Sequence, residues 1–383
     1  MAEHKYTVVD LFSGAGGFSL GFEMAGFKII GGLELDKWAS ETFQKNNPTA
    51  KVITQDITNV SNINLKTMFD SPDIVLGGPP CQGFSIANRN AGDPKDPRNT
   101  LFMEFIRAVK VLNPKIAIIE NVPNILNAKT ESGEKVINII RMELKNLGYG
   151  VESQILEAVK FGVPQIRKRL FVIASKLPLK SYFPEPIKTE SDYTTLWDAI
   201  SDLPKVIPRD GYEEMNYDSE PKNDFQKEMR KDSIKVYNHI SMKHSNRMIE
   251  RFSKMKWGDS ISDVPNSHKP LKRNGNGVIS EKSYDQNNRR MYPDKPCHTI
   301  PASFYANFVH PFENRNFTAR EGARLQSFPD YYRFFGKPTV VSHKLLEREG
   351  RTDEKFLGQY NQIGNAVPPL LAKAIALNII SQL

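Results

Sequence analysis

"DLFSGAGGFSLGFE", Asp10 to Glu23, decides how the rest of the chain is read. An apolar, β-branched run at residues 6–12 feeds a turn holding Gly14, Gly16 and Gly17, and a segment of helical period follows at 18–25. Strand, glycine turn and helix together make the frame of a nucleotide-binding loop, where glycines permit a sharp turn and close approach of the backbone to a ligand. The third position of the dinucleotide fingerprint is Ser19 rather than Gly or Ala. The next strand candidate, residues 28–34, ends in Glu34, an acid placed to accept hydrogen bonds from ribose hydroxyls. A dinucleotide suits this frame. So does S-adenosylmethionine, which carries adenosine without a pyrophosphate, and so does a purely structural turn.

Working outward, strand candidates recur at residues 73–76, 115–120, 150–156 and 169–175, with helical segments at 37–46, 100–112 and 133–147. Apolar strands alternating with amphipathic helices predict an α/β fold with a doubly wound, mostly parallel sheet covered on both faces. Ligands in such sheets bind beyond the carboxyl ends of the strands. Ser13, Glu34, Gly77 and Asn121 all fall there, so they share one edge. The pattern stops near Lys176. Residues 177 to about 235 are rich in proline and charge, and the stretch to 317 has no clear period. Trp197, Phe252, Trp257, Tyr292, Phe304 and Phe308 are available as a core, so a second, smaller, loop-rich domain is expected there rather than disorder. "NAVPPLLAKAIALNIISQL", 365–383, predicts a terminal helix whose apolar face packs on the large domain.

A chain of 383 residues is long for one core, and 39% hydrophobic with 25% charged residues is ordinary for a globular protein. No run reaches the ~20 apolar residues of a membrane span, and the N-terminus lacks an apolar signal core. A cytoplasmic protein is expected. The two cysteines stand at unlike sites, which argues against a disulfide. A net charge of +8 is compatible with a polyanionic partner without requiring one.

Three further stretches carry candidate chemistry. In "GGPPCQGFS", 77–85, Pro79 and Pro80 stiffen a loop that presents Cys81, an arrangement suited to a nucleophilic thiolate or to an inert buried thiol. Glu120 and Asn121 end an apolar strand, where a carboxyl group tends toward a raised pKa and acid behaviour. Gln165, Arg167 and Arg169 precede another strand, the arginines two apart so that both face one side of an extended segment and suit an anion or a carbonyl oxygen. Further on, 239–256 carries Lys243, Arg247, Arg251, Lys254 and Lys256 against the single acid Glu250, a candidate phosphate-contact strip or a solvated helix face. "KRNGNG", 272–277, is a basic loop of the kind that enters a groove.

These segments, in this order, resemble the DNA (cytosine-5)-methyltransferase family, especially the bacterial modification enzymes. The resemblance rests on Phe12–Gly17, Glu34, Gln55-Asp56-Ile57, Gly78–Ser85, Arg98–Leu101, Glu120-Asn121-Val122, Gln165–Arg169, Arg320–Pro329 and Gln362–Pro369, and covers most of the chain outside 177–317. It implies a Rossmann-like methyltransferase fold, with residues 1–176 and about 356–383 as the catalytic domain. Residues of about 177–355 would be the DNA-recognition domain, with the target-recognition region at about 177–317. It implies transfer of a methyl group from S-adenosylmethionine, leaving S-adenosylhomocysteine, to C5 of a flipped-out cytosine in double-stranded DNA, without a metal. Cys81 would attack C6, Glu120 would engage N3 and the exocyclic amine, and Arg169 would bind O2, with Arg167 and Asn121 organising the pocket.

By the same resemblance Phe12 lies against adenine, and Ser13, Gly14, Ala15, Gly16 and Gly17 face the methionine part. Glu34 would hold the ribose hydroxyls and Asp56 the adenine amine, with Leu35 and Ile57 also in the cofactor site. Pro80, Leu101, Asn365 and Ala366 line the remainder. No residue announces itself as the base for the C5 proton, and water is a candidate. A monomer is expected, with a cognate restriction endonuclease as a genetic rather than physical partner. Three rivals remain: a tRNA cytosine methyltransferase, against which the long 177–317 region counts; a nicotinamide or flavin oxidoreductase, against which Ser19 and the missing CxxC count; and a non-catalytic DNA-binding protein, against which the presence of both Cys81 and Glu120 counts. One departure is the charged insert "KPTVVSHKLLEREGRTDEKFLG", 337–358.

Overall fold

The structure, a computed structural model, describes residues 6–80, 101–130, 133–272, 277–280, 287–339 and 343–383. Cys81 and the centre of the 272–277 loop lie outside them. The chain forms two compact units. The first holds Met1–Gly162, Arg167–Thr189 and Ala366–Leu383, the second Val163–Ile166 and Glu190–Asn365. These divisions fall elsewhere than the expected boundaries: 177–189 stays with the sheet unit, 356–365 belongs to the other, and 163–166 makes a short excursion into it.

In the first unit β1 (Thr7–Leu11), β2 (Lys28–Glu34), β3 (Lys51–Thr54), β4 (Ile74–Gly77), β5 (Ile116–Asn121), β6 (Gly150–Glu157) and β8 (Lys168–Ser175) make one sheet, in the order β3-β2-β1-β4-β5-β8-β6. The two-residue strand β7 (Gln165–Ile166) belongs to the second unit. Strands β1 to β5 are parallel, and β8 runs antiparallel to both its neighbours. Helices α1 (Gly17–Met24), α2 (Lys37–Asn46), α3 (Asn62–Phe69), α4 (Leu101–Leu112) and α5 (Val136–Asn146) connect them. Successive strand residues point to opposite faces. A Cβ built on Gly31 would meet Phe69 of α3, and one on Gly32 would meet Phe43 of α2, so these helices cover opposite faces of β2. The sheet is doubly wound, as expected. The face toward α3, α4 and α5 is a buried apolar layer in which Val9, Leu11, Val75, Ala117, Ile119, Leu170 and Val172 alternate along their strands with residues of the other face. Neither β3 nor α3 was among the expected elements.

Register aligns the carboxyl ends. Leu11 lies opposite Leu33 and Gly77, and Gly77 opposite Ile119, which brings Phe12, Glu34, Gly78 and Glu120 to one edge.

The second unit has little regular structure. It contains an antiparallel pair β9 (Gly211–Asn216) and β10 (Lys235–Ile240), and two-residue strands β11 (Arg289–Arg290), β12 (Cys297–His298) and β13 (Phe308–Val309). Its helices are α6 (Leu196–Ile200), α7 (Asp224–Arg230), α8 (Asn246–Ser253), α9 (Phe304–Asn307), α10 (Ala319–Leu325), α11 (His343–Arg348) and α12 (Gln359–Asn365). Where no ladder exists to satisfy main-chain carbonyls, buried arginines do so. Arg290 donates to the carbonyls of Phe252, His310 and Pro311, and Arg320 to those of Tyr237, Pro329 and Tyr332. Arg324 donates to Asp202 and Asp330, and Arg315 to both oxygens of Glu321. Phe252, Phe304 and Phe308 are core residues as expected, but Trp257 and Tyr292 are 47% and 39% exposed.

The basic strip also divides. Arg251 is buried and donates to His268 O, and Arg247 donates to Lys269 O, so two of its five cations act as internal struts while Lys243, Lys254 and Lys256 stay exposed. The 337–358 insert contains α11 and closes on itself through Lys337–Glu354, Arg351–Glu354 and Lys355–Glu347 ion pairs.

The chain ends in α13 (Pro369–Ile380), which packs on α1 within the first unit. The approach is closest at Gly21, where an added Cβ would sit 2.4 Å from Ala372 Cβ and 2.5 Å from Pro369 O. By length and composition residues 359–380 could cross a membrane, but they are two helices broken at 366–368, and most of their residues are buried.

Candidate active site

The glycine turn is held by two acids. Phe12 (φ 57°) leaves β1 in the left-handed region, and Gly14 and Gly16 continue the turn at φ 53° and 87°. Gly14 N donates to Glu34 Oε2 at 2.7 Å, and Asp36 N to Glu34 Oε1 at 2.8 Å, so the acid ending β2 ties the turn to the start of α2. Each oxygen keeps a lone pair for a further donor. Burial pushes the Glu34 carboxyl above its ordinary range, and these backbone donors oppose the shift. Beneath the turn Asp10 is buried and accepts from Ser19 N at 3.2 Å. Desolvation raises its pKa to about 7. Sequence reasoning passed over Asp10, although an acid in an apolar strand just before a glycine turn was the signal.

The turn leaves room above it. No atom lies within 4 Å of a Cβ built on Gly14, and Ser13 Oγ is buried without a hydrogen-bond partner among the described residues. Leu35, directly after Glu34, is 64% exposed. Asp56 uses Oδ1 to cap Thr58, and Ile57 behind it is buried. Buried hydroxyls are ordinarily paired, and large apolar side chains beside a polar cradle are ordinarily covered. An adenosine-bearing ligand with hydroxyls and an amine meets both needs, so the residues present fit S-adenosylmethionine. Phe12 packs partly into the core, Ala15, Gly16 and Gly17 are buried, and Leu101 opens α4 with its side chain against the same core. Asn365 closes α12 in the second unit, exposed, while Ala366 opens the last segment of the first.

A second cluster stands at the end of β5. Glu120 Oε1 pairs with Arg169 Nε at 2.8 Å, both side chains about seven-eighths buried. The antiparallel register of β5 and β8, with Asn121 opposite Leu170, brings them together. Arg167 is buried and donates to Ala366 O at 3.2 Å. Burial raises the Glu120 carboxyl, and the Arg169 and Arg167 charges pull it back only in part. Burial also lowers both arginines, with Arg169 adding to the effect on Arg167. Asn121 Nδ2 donates to Pro79 O at 3.0 Å, which clamps the Pro79-Pro80 approach to Cys81. A Cβ on Gly78 would lie 3.3 Å from Glu120 Oε2. The loop that leads to Cys81 therefore starts against the Glu120 carboxylate.

The profile of the C-5 cytosine-specific DNA methylases matches residues 6–381. The chain belongs to that family. The methylase is 49% identical over 376 residues to the type II methyltransferase M.DdeI of Desulfomicrobium norvegicum, covering 97% of this chain and 88% of that one. It is 37% identical to M1.HphI of Haemophilus parahaemolyticus over 97% of this chain and 85% of the relative. Among solved structures it resembles one described as a prophage-encoded DNA modification methyltransferase of Escherichia coli (TM-score 0.75, 26% identity, 99% of both chains). Dnmt2 of Schizosaccharomyces pombe (0.59, 18%, 98% of both) shares the fold. The methylase is a DNA cytosine-5-methyltransferase.

Gln165, in the Gln165–Arg169 motif, has a structural part that sequence did not disclose. Its side chain donates to Leu325 O and Gln326 Oε1 and accepts from Ile300 N, while Gln326 donates to Ile363 O. Three of the quoted segments thus meet, with Ile300, in one buried clasp of the second unit. Cys297, beside it on β12, is fully buried, and burial drives its thiol pKa well up, so it is a packing residue.

Proposed function

We propose that the methylase adds a methyl group to C5 of a cytosine swung out of a specific DNA duplex, through a covalent bond between Cys81 Sγ and C6, as the modification enzyme of a restriction-modification system. C5 is a poor nucleophile while the ring is aromatic. Attack of the Cys81 thiolate on C6 breaks the aromaticity and places enamine-like electron density on C5. Glu120, already biased by burial toward holding a proton, engages N3 and the exocyclic amine and neutralises the charge that builds in the ring. Arg169 holds O2, and Arg167 and Asn121 fix the pocket wall and the loop. C6 is out of reach inside a duplex, so the base must leave the stack. When bound, S-adenosylmethionine would supply an electrophilic methyl group on a sulfonium centre; once C5 carries that group, loss of the C5 proton to water expels Cys81 Sγ from C6 and restores the aromatic ring. The chain would hold it by Ser13 and the Gly14–Gly17 turn, Glu34 and Leu35, and Asp56 and Ile57, with Phe12, Pro80, Leu101, Asn365 and Ala366 around them. Most of 190–365 would read base edges in the major groove, where all four pairs differ.

The observation that supports this reading most directly is the Gly78–Glu120 proximity, which begins the nucleophile's loop beside a buried, arginine-paired carboxylate. The test is a duplex carrying 5-fluorocytosine at the methylated position, whose fluorine cannot leave as a proton does. With S-adenosylmethionine present, a denaturant-resistant protein–DNA adduct is expected, mapping to Cys81 and absent in Cys81→Ser. An adduct on another residue, or none on a duplex the enzyme methylates when unfluorinated, overturns the reading.

A further inference from the structure

An open cleft of about 450 Å3 in the second unit has Met255, Lys256, Trp257, Arg290, Phe312 and Asn314 among its lining residues. Trp257 and Phe312 are about half exposed, and their rings meet edge to face at 5.8 Å. Neither ring is loose. Trp257 Nε1 donates to Pro311 O at 3.1 Å, and Trp197 backs Phe312 at 4.6 Å. Below them Arg290 is 5% exposed, and its Nη2 donates to Asn314 Oδ1 at 2.8 Å. That bond sets the carboxamide and leaves the Asn314 NH2 group as a donor without a partner among the described residues. Arg290 Nε is likewise buried and without a hydrogen-bond partner. Lys256 lines the cleft, Lys254 stands exposed two residues away, and no acid is among the described lining residues.

We propose that this cleft takes an unstacked base of the DNA substrate other than the cytosine that is methylated, so that Trp257 and Asn314 contribute to recognition. The inference rests on the DNA-methylation reading above. A base offers a flat π-face to the fixed aromatic corner and acceptor atoms to the Asn314 NH2 group, while its phosphate offers an anionic partner to the exposed Lys254 and Lys256, Asp259 being held by the Lys256 main-chain N–H at 2.7 Å. An aliphatic ligand would leave the polar groups unmet, and a free anion would leave the rings bare. Base–aromatic stacking is strong enough that losing one ring weakens binding about tenfold or more.

The experiment uses the full chain with S-adenosylhomocysteine and cognate duplexes in which 5-iododeoxyuridine is placed at successive positions in and around the methylated site. Long-wavelength irradiation is expected to give an adduct at Trp257 or Phe312 from one position. Trp257→Ala should raise the Kd for duplex about tenfold, Trp257→Phe should restore most of it, and Asn314→Ala should relax the preference at the crosslinking position. Affinity for S-adenosylhomocysteine, measured by calorimetry, should stay unchanged in all three, which separates the effect from unfolding. Tight duplex binding with adducts only elsewhere, or an unchanged Kd in Trp257→Ala, overturns the inference and leaves the methylation reading intact. Failure of wild type to bind any duplex overturns both.

Discussion

Each unit buries an arginine–carboxylate pair, and the two pairs behave in opposite ways. In the second unit Arg324 lies between Asp202 and Asp330 at 0% exposure, bonded at 2.6–3.2 Å to both. Burial alone would lift the Asp330 carboxyl, but Arg324 holds it below its ordinary range, and the two acids hold the Arg324 pKa above its own. Each charge there stabilises the other. In the first unit Glu120 and Arg169 share one bond of 2.8 Å, and burial wins on both sides: the acid is raised and the base lowered. A fully satisfied pair fixes architecture. A half-satisfied one, beside a glycine-opened loop, is poised for a third participant.

That contrast can be broken by substitution. Glu120→Gln should cut kcat by ~10²–10⁴-fold, the range of a general acid, while the thermal midpoint moves little, because the pair is not what holds β5 to β8. A mutant with near-normal kcat would put Glu120 with the structural pairs. Arg324→Met should do the reverse. It leaves the buried Asp202 and Asp330 with only the longer arginine contacts, Arg230 at 3.4 Å and Arg320 at 3.7 Å, at a cost of ~3–5 kcal/mol, read in denaturant titrations through Trp197 and Trp257.

Asp10 sharpens the comparison within the first unit. Its folded pKa of about 7 exceeds the ordinary 3.8, so folding favours the protonated form, and stability present below pH 4 is lost as pH rises through 7. Asp10→Asn keeps an acceptor for Ser19 N and removes that loss. Its stability advantage over wild type should grow from near zero at pH 4 to a few kcal/mol, up to about 4, at pH 8, measured by urea unfolding. A flat difference would show that Asp10 is ionised in the fold. The smallest effect belongs to the insert. Lys355→Ala removes a solvent-exposed pair with Glu347 and should shift unfolding by less than about 1 kcal/mol.

The two units also differ in how much of them can be read in advance. Strands β1, β2, β4 and β5 announce themselves because a sheet buried on both faces demands unbroken apolar runs. β3, short and at the edge, carries a half-exposed pattern that periodicity does not distinguish from loop. The antiparallel direction of β8 is equally silent, since no tight turn joins it to β6. Glu120, Asn121, Arg167 and Arg169 stood out by position and by resemblance, whereas the grip of Glu34 on Gly14 N is a long-range contact with no local signal. In the second unit, counting charges over 239–256 is blind to which arginine a carbonyl takes, and Arg247 and Arg251 are turned inward.

The seat of α13 on α1 has a consequence for how the polypeptide matures. Residues from the two extremities of the sheet unit meet at Gly21, yet the whole second unit is translated between them. At about 5–20 residues per second, the apolar flank of α1 waits on the order of tens of seconds for its cover. Nascent chains are therefore expected to need a chaperone's shelter until the ribosome has delivered that final helix.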